Sequence, residues 1–173
     1  KYPIKPVAEP WTNIEQAEHE KEVIGFYVSG HPLNDYDMEI KYFTNTAVTE
    51  LNNLDELKNK REITFAGILR EVTHAQSRTG SPFGKFTIED LEGTHTMTIF
   101  SKTYTSIKEH LQTGYFVYCR AMVGEKMYAN EKGERELELK LTEMMLLEGV
   151  MDKYSKGIIF SIKVEDVDEE FCS

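Results

Sequence analysis

The chain has only two cysteines in 173 residues, Cys119 and Cys172. They lie far apart, one inside an expected strand and the other beside the last residue, which makes neither a disulfide framework nor a metal-binding pair. A reducing, cytoplasmic setting is expected. Long hydrophobic runs are also missing: none approaches the roughly 20 residues needed to cross a bilayer, and the N-terminus lacks a basic region followed by a small-residue cleavage site. Membrane and secretion readings fall away. Positive charge is scarce, with 20 Lys and Arg against 30 Asp and Glu and a formal net charge of −10. There is no internal repeat and no low-complexity tract. What is present suits a packed fold: 40% hydrophobic residues, including 9 Phe, 9 Tyr and 1 Trp, can fill a sizeable core, and the length fits one domain with an appendage or two small ones. The opening Lys1-Tyr2-Pro3-Ile4-Lys5-Pro6 and the acidic Asp166 to Glu170 near the end, which looks like a helix start, suggest a segment of a larger protein.

Three zones follow from periodicity and punctuation. In the first, Thr12 or Asn13 can cap a helix whose apolar positions Ile14, Ala17, Val23, Ile24 and Tyr27 fall largely on one face, ending by Gly30. His31-Pro32 forces an extended or turning backbone, because proline disfavours helical geometry in the residue before it. A second helix is expected from Leu33 to Tyr42 and a third at Leu51 to Leu57. From Arg61 the period becomes alternating. Ile63 to Val72 reads as a long strand in which Gly67 marks a bend or bulge, Lys85 to Glu89 as a second and Thr94 to Phe100 as a third. A helix is expected from Lys102 to Leu111, a fourth strand from Tyr115 to Val123, a polar hairpin loop from Gly124 to Gly133, and a fifth strand from Glu134 to Leu141. The third zone holds a short helix around Met151 to Tyr154, a strand at Ile158 to Ile162 and the acidic tail.

Three strands, a helix and two strands is the element order of the OB-fold, a five-stranded Greek-key barrel. The expected fold is therefore mainly β: an OB barrel over 61–148 with a helix between strands three and four, a helical appendage over 1–60, and the start of a further domain over 149–173. The run Glu20 to Leu33, with Gly25-Phe26-Tyr27-Val28-Ser29-Gly30-His31-Pro32-Leu33 followed by Tyr36, resembles the signature preceding the OB domain in alpha subunits of bacterial DNA polymerase III. Phe86 to Gly93 and Ile99-Phe100 resemble strands two and three of that domain. The resemblance implies a non-catalytic part of a replicative DNA-directed DNA polymerase, a nucleotidyltransferase whose Mg2+-binding aspartates lie upstream, so no cofactor is expected in this segment. The expected partners are single-stranded template DNA and the rest of the alpha subunit. Sliding-clamp and clamp-loader contacts are expected outside the segment, and no membrane contact is expected. Gln112 to Phe116 mimics the clamp-binding peptide, but its aromatics enter a strand and are better read as core or sheet residues.

An OB-fold usually takes its ligand on strands two and three and in the loops joining strands one to two and four to five. Single-stranded nucleic acid there needs cations for phosphates and rings on which bases stack. The residues of those types are Arg78 and Phe83 beside the first loop, Lys85 and Thr87 on the second strand, Thr96, Thr98 and Phe100 on the third, and Lys126, Tyr128 and Lys132 in the last hairpin. Solvated lysines and a packed Phe100 are the plainer alternative. Between Lys60 and Arg135 there are 11 Lys and Arg against 9 Asp and Glu, leaving the barrel the least acidic part of the chain. That is still far below the basic footprint of an independent binder, so binding is expected to be weak and salt-sensitive. The rival reading is a scaffold that positions the clamp- and clamp-loader-binding regions without touching DNA. A tRNA-anticodon-binding OB domain of a synthetase should lack the Gly25 to Pro32 signature.

Other chemistries fit poorly. Gly80 to Phe86 has three residues between its glycines where a phosphate loop needs four, and a strand follows instead of a helix. His19, His31, His74, His95 and His110 show no ligand spacing to one another or to cysteine. Cys119 reads as a small buried hydrophobe. His31 is expected to cap or hydrogen-bond the turn that it opens.

Overall fold

The computed structural model describes residues 11–157 except 26, 29, 127–132 and 134. The expected strand at Ile158 to Ile162, the acidic tail, Cys172, Tyr128 and Lys132 lie outside the described residues. Helix α1 (Asn13–Ile24) begins at a capping box: the Glu15 amide donates to the Thr12 hydroxyl and the Thr12 amide to the Glu15 carboxylate, 3.3 and 2.9 Å, which satisfies two otherwise orphaned donors. It ends at Gly25, whose φ of 89° closes the helix through a bond from its amide to the Lys21 carbonyl. The second expected helix divides. Pro32 opens a 3-10 turn, Pro32–Tyr36, and only then does α2 (Asp37–Phe43) form. A further 3-10 turn, Val48–Asn52, and the single-turn α3 (Leu54–Leu57) complete the appendage.

Five strands follow: β1 (Ile63–Gln76), β2 (Pro82–Glu89), β3 (Thr94–Phe100), then β4 (Phe116–Glu125) and β5 (Leu137–Leu146), with α4 (Ser101–Ile107) and a 3-10 turn between β3 and β4. All pairs are antiparallel and the order is β3-β2-β1-β4-β5. This is the OB arrangement: β1 is shared by both halves and the sheet curls over one core. Inward residues of both edge strands, Met97 and Ile99 from β3 and Leu141 and Met144 from β5, belong to the same cluster as Phe65, Leu69, Phe86, Ile88 and Val117. The appendage contributes Val48, Leu51 and Leu57 to that core. A second cluster lies outside the sheet, where Leu33, Tyr36, Ile40 and Phe43 meet Ala66, Tyr118, Leu147 and Val150, the last opening α5 (Val150–Tyr154).

Two expectations need correction. Val23 and Ile24, expected on a packed face of α1, are 83% and 51% exposed. The described side chain that ties α1 to the barrel is Lys21, through an ion pair. Gly67 is also not the bulge. Pairing of β1 with β2 shifts between Leu69 and Glu71, leaving Arg70 as the extra residue. Gly67 instead admits a close neighbour, since a β-carbon there would stand 2.4 Å from the Glu89 carbonyl oxygen.

Candidate nucleic-acid interface

The bulge at Arg70 determines which residues share the outer face. Leu69 and Val72 both pair with inward residues, Ile88 and Phe86, so two successive residues, Arg70 and Glu71, turn outward between them. Beyond the bulge, residues facing one another across strands lie in three rows. At the loop end stand Ala75, Phe83 and Phe100. Next come Thr73, Lys85 and Thr98, and then Glu71, Thr87 and Thr96. Successive rows are two residues apart on each strand, about 7 Å.

The first row is aromatic. The Phe83 and Phe100 rings lie 5.5 Å apart at 33°, and Phe100 is 57% exposed at the sheet edge. The backbone turns sharply just after it, because Ser101 has φ 52°, the only positive value at a non-glycine residue among those described. Lys85 in the second row is exposed and has no carboxylate partner among the described residues. In the third row the Thr87 and Thr96 hydroxyls bond one another at 2.9 Å, and Glu71 is exposed beside them.

A fourth position bounds the face. Ile68 pairs with Glu89, and Glu89 with Thr94. The Glu89 side chain is 12% exposed and holds the appendage to the barrel. Lys21 of α1 donates to both carboxylate oxygens at 2.5 Å, Arg70 donates at 3.2 and 3.4 Å, and the Tyr27 hydroxyl donates at 3.3 Å. Burial would raise the Glu89 pKa, but the bond from Lys21 and the charge of Arg70 outweigh it and hold the carboxyl below its ordinary range. His31 completes the cluster. Its Nδ1 accepts from the Leu33 amide at 3.1 Å, as expected of a capping residue, while Nε2 faces Glu89 at 3.5 Å. Burial lowers the His31 pKa against the opposing pull of Glu89. The ring of Tyr27 packs edge-on to His31 and lies under Lys21 and Arg70.

Six of the ten sequence-derived candidates, Phe83, Lys85, Thr87, Thr96, Thr98 and Phe100, therefore share one uncovered face. Arg78 is exposed in the turn between β1 and β2, past the aromatic row. Lys126 stands apart, on the β4–β5 hairpin, with its ammonium 2.6 Å from Glu136, which raises its pKa. Sequence reasoning missed the third strand of the face. Thr73 and Ala75 belong to it because β1 runs four residues beyond Val72, and Glu71 because the bulge at Arg70 turns it outward. It also missed Glu89 as the anchor of the appendage, for which the only sequence signal was a charge at an outward strand position. Tyr115 and Phe116, the aromatics of the clamp-peptide mimic, pack against the first and second clusters.

Residues 63–147 match the family model described as OB-fold nucleic acid binding domain, tRNA_anti-codon. Among curated proteins, the chain is similar to the DNA polymerase III subunit alpha of Thermus aquaticus, 29% identical over 146 residues, covering 84% of this chain and 11% of that protein. It is also similar to the subunit of Aquifex aeolicus, 26% identical over 169 residues and covering 88% of this chain and 14% of that protein. The Escherichia coli subunit is 21% identical over 165 residues, covering 95% and 14%. The chain thus spans about an eighth of the length of these relatives. The Saccharomyces mitochondrial single-stranded DNA binding protein Rim1 is similar at 18% identity with a TM-score of 0.36, covering 50% of this chain and 92% of that one, a likeness that carries no argument about ligand. Residues 63–147 are an OB-fold domain of the matched family, set in a chain homologous to a segment of DNA polymerase III alpha subunits.

Proposed function

We propose that this chain binds single-stranded DNA across the outer face of β1, β2 and β3, as a non-catalytic part of a replicative polymerase that guides template. The observation that carries this reading is the Phe83–Phe100 step, with Phe100 left 57% exposed beside a row in which Lys85 has no carboxylate partner among the described residues. A base stacks on the exposed ring, Lys85 meets a phosphate, and the threonine hydroxyls serve as neutral donors and acceptors along the strand. Nucleotidyl transfer and its Mg2+ belong to residues outside this chain.

Fluorescence anisotropy of labelled oligothymidine at low salt tests the reading. Stacking contributes roughly 1–3 kcal/mol per base, so Phe100→Ala lowers affinity about tenfold. Lys85→Ala weakens binding less and removes about 0.7 from the log–log salt slope. Binding that neither substitution alters, or no binding at hundreds of micromolar protein, overturns the proposal. The second outcome favours the scaffold reading, which the net charge of −10 and the exposed Val23, Ile24 and Val28 support.

A further inference from the structure

The third row of the open face differs from the other two in carrying the wrong charge for a phosphate track. Glu71 stands exposed there, and no described residue neutralises it. Its direct neighbour across the β1–β2 ladder is Thr87, whose hydroxyl is committed to that of Thr96. One of the two hydroxyls donates in that bond, so the proton of the other remains available. The row thus offers a carboxylate acceptor and an O–H donor side by side, about 13 Å along the sheet from the aromatic row and within reach of the same bound strand.

A carboxylate repels the sugar–phosphate chain and the carbonyl-rich edge of thymine. Adenine and cytosine each present one amino donor beside a ring-nitrogen acceptor. Guanine alone presents two adjacent donors, N1–H and N2–H, next to the O6 acceptor, and a carboxylate with a neighbouring hydroxyl is complementary to all three atoms. We infer that Glu71, with the Thr87–Thr96 pair, forms a guanine-selective base subsite on this face. The inference rests on the binding reading above and adds a base preference to it.

The test uses the 173-residue chain and four labelled oligonucleotides of equal length: five repeats of TTG, TTA or TTC, and oligothymidine. The wild type binds the TTG repeat about five times more tightly than oligothymidine, since one good bidentate contact to a base corresponds to roughly a fivefold to hundredfold preference when fully formed and this one is exposed to water. Glu71→Ala brings all four within about twofold while tightening oligothymidine, because the repulsion is gone. Glu71→Gln, which keeps the size, also abolishes the guanine preference. Equal affinities in the wild type, with binding still sensitive to Phe100→Ala, overturn the subsite alone. So does a guanine preference that survives in both variants. No binding of any oligonucleotide overturns the subsite together with the binding reading.

Discussion

His31 illustrates how much one side chain can fix. Its Nδ1 accepts from the Leu33 amide while its ring packs against Tyr27, so it terminates one segment and starts the next. Loss of a cap of this kind costs about 1 kcal/mol. His31→Ala is expected to lower Tm by roughly 2–4 °C for a chain of this size, whereas His31→Asn, which keeps an acceptor near the same place, retains most of it. Thermal melts of both variants check this, and an unchanged His31→Ala melt refutes it. Glu89 makes the larger contribution. Glu89→Gln removes the carboxylate charge that Lys21 and Arg70 share, at a cost of about 3 kcal/mol near neutral pH. The folded Glu89 carboxyl titrates below its ordinary range, so its contribution is complete above about pH 5 and fades as pH falls through the lower folded value. His31 adds an earlier loss of stability. Its pKa is lowered in the fold, so below about pH 6.5 the unfolded chain takes up a proton that the folded chain resists. Urea titrations across pH should show the difference between wild type and Glu89→Gln narrowing only at acid pH. A gap that stays constant to pH 3 contradicts the assignment.

Among the elements, β1 carries most of the design. Gly67 lets the β2 backbone approach, with the Glu89 carbonyl oxygen 2.4 Å from where a β-carbon would sit, and the bulge three residues later rotates the rest of the strand. Gly67→Ala forces backbone against backbone, which no rotamer change relieves. A loss of about 3 kcal/mol is expected, measured by urea denaturation, and a loss under 0.5 kcal/mol would show that the strands separate freely. The strands were legible from sequence because alternation survives wherever one face is buried: β3 spans Thr94–Phe100 as its pattern predicts, and β2 starts only three residues early. The far half of β1 was not legible, since a one-residue bulge inverts the phase and no propensity marks it. In α1 the cap at Thr12 was legible, but the outward positions of Val23 and Ile24 were not. Val23 and Ile24 follow a helical period yet face outward, because the described tie of α1 to the barrel is an ion pair reached across 68 residues of chain. In the site, the outward residues of β2 and β3 followed from parity alone, whereas Glu71 and Glu89 depended on tertiary register.

Charge over the whole molecule opposes the ligand that the open face suits. The net charge is −10, while the three rows offer Lys85 against Glu71, with Arg78 exposed in the adjoining turn. Acidic neighbours act over roughly 10 Å at 0.1 M salt, so on this face only those two cations offer phosphate a favourable contact. Each phosphate neutralised on a single strand contributes about −0.7 to the log–log salt slope. The chain is therefore expected to bind oligothymidine with a slope between about −0.7 and −1.4, and with affinity no better than about 100 μM at physiological salt. A salt series by anisotropy measures both. A slope steeper than about −3 would require cations that this face does not carry, and would move the interface elsewhere on the molecule. Weak affinity is compatible with a role in replication once the strand is already held nearby. A short flexible tether sets an effective concentration in the millimolar range, at which a site of 100 μM affinity is about nine-tenths filled. Joining the oligonucleotide covalently to the chain through a flexible linker near the Arg78 turn should then saturate the Phe83–Phe100 step, and Phe100→Ala should release the strand while the link stays intact.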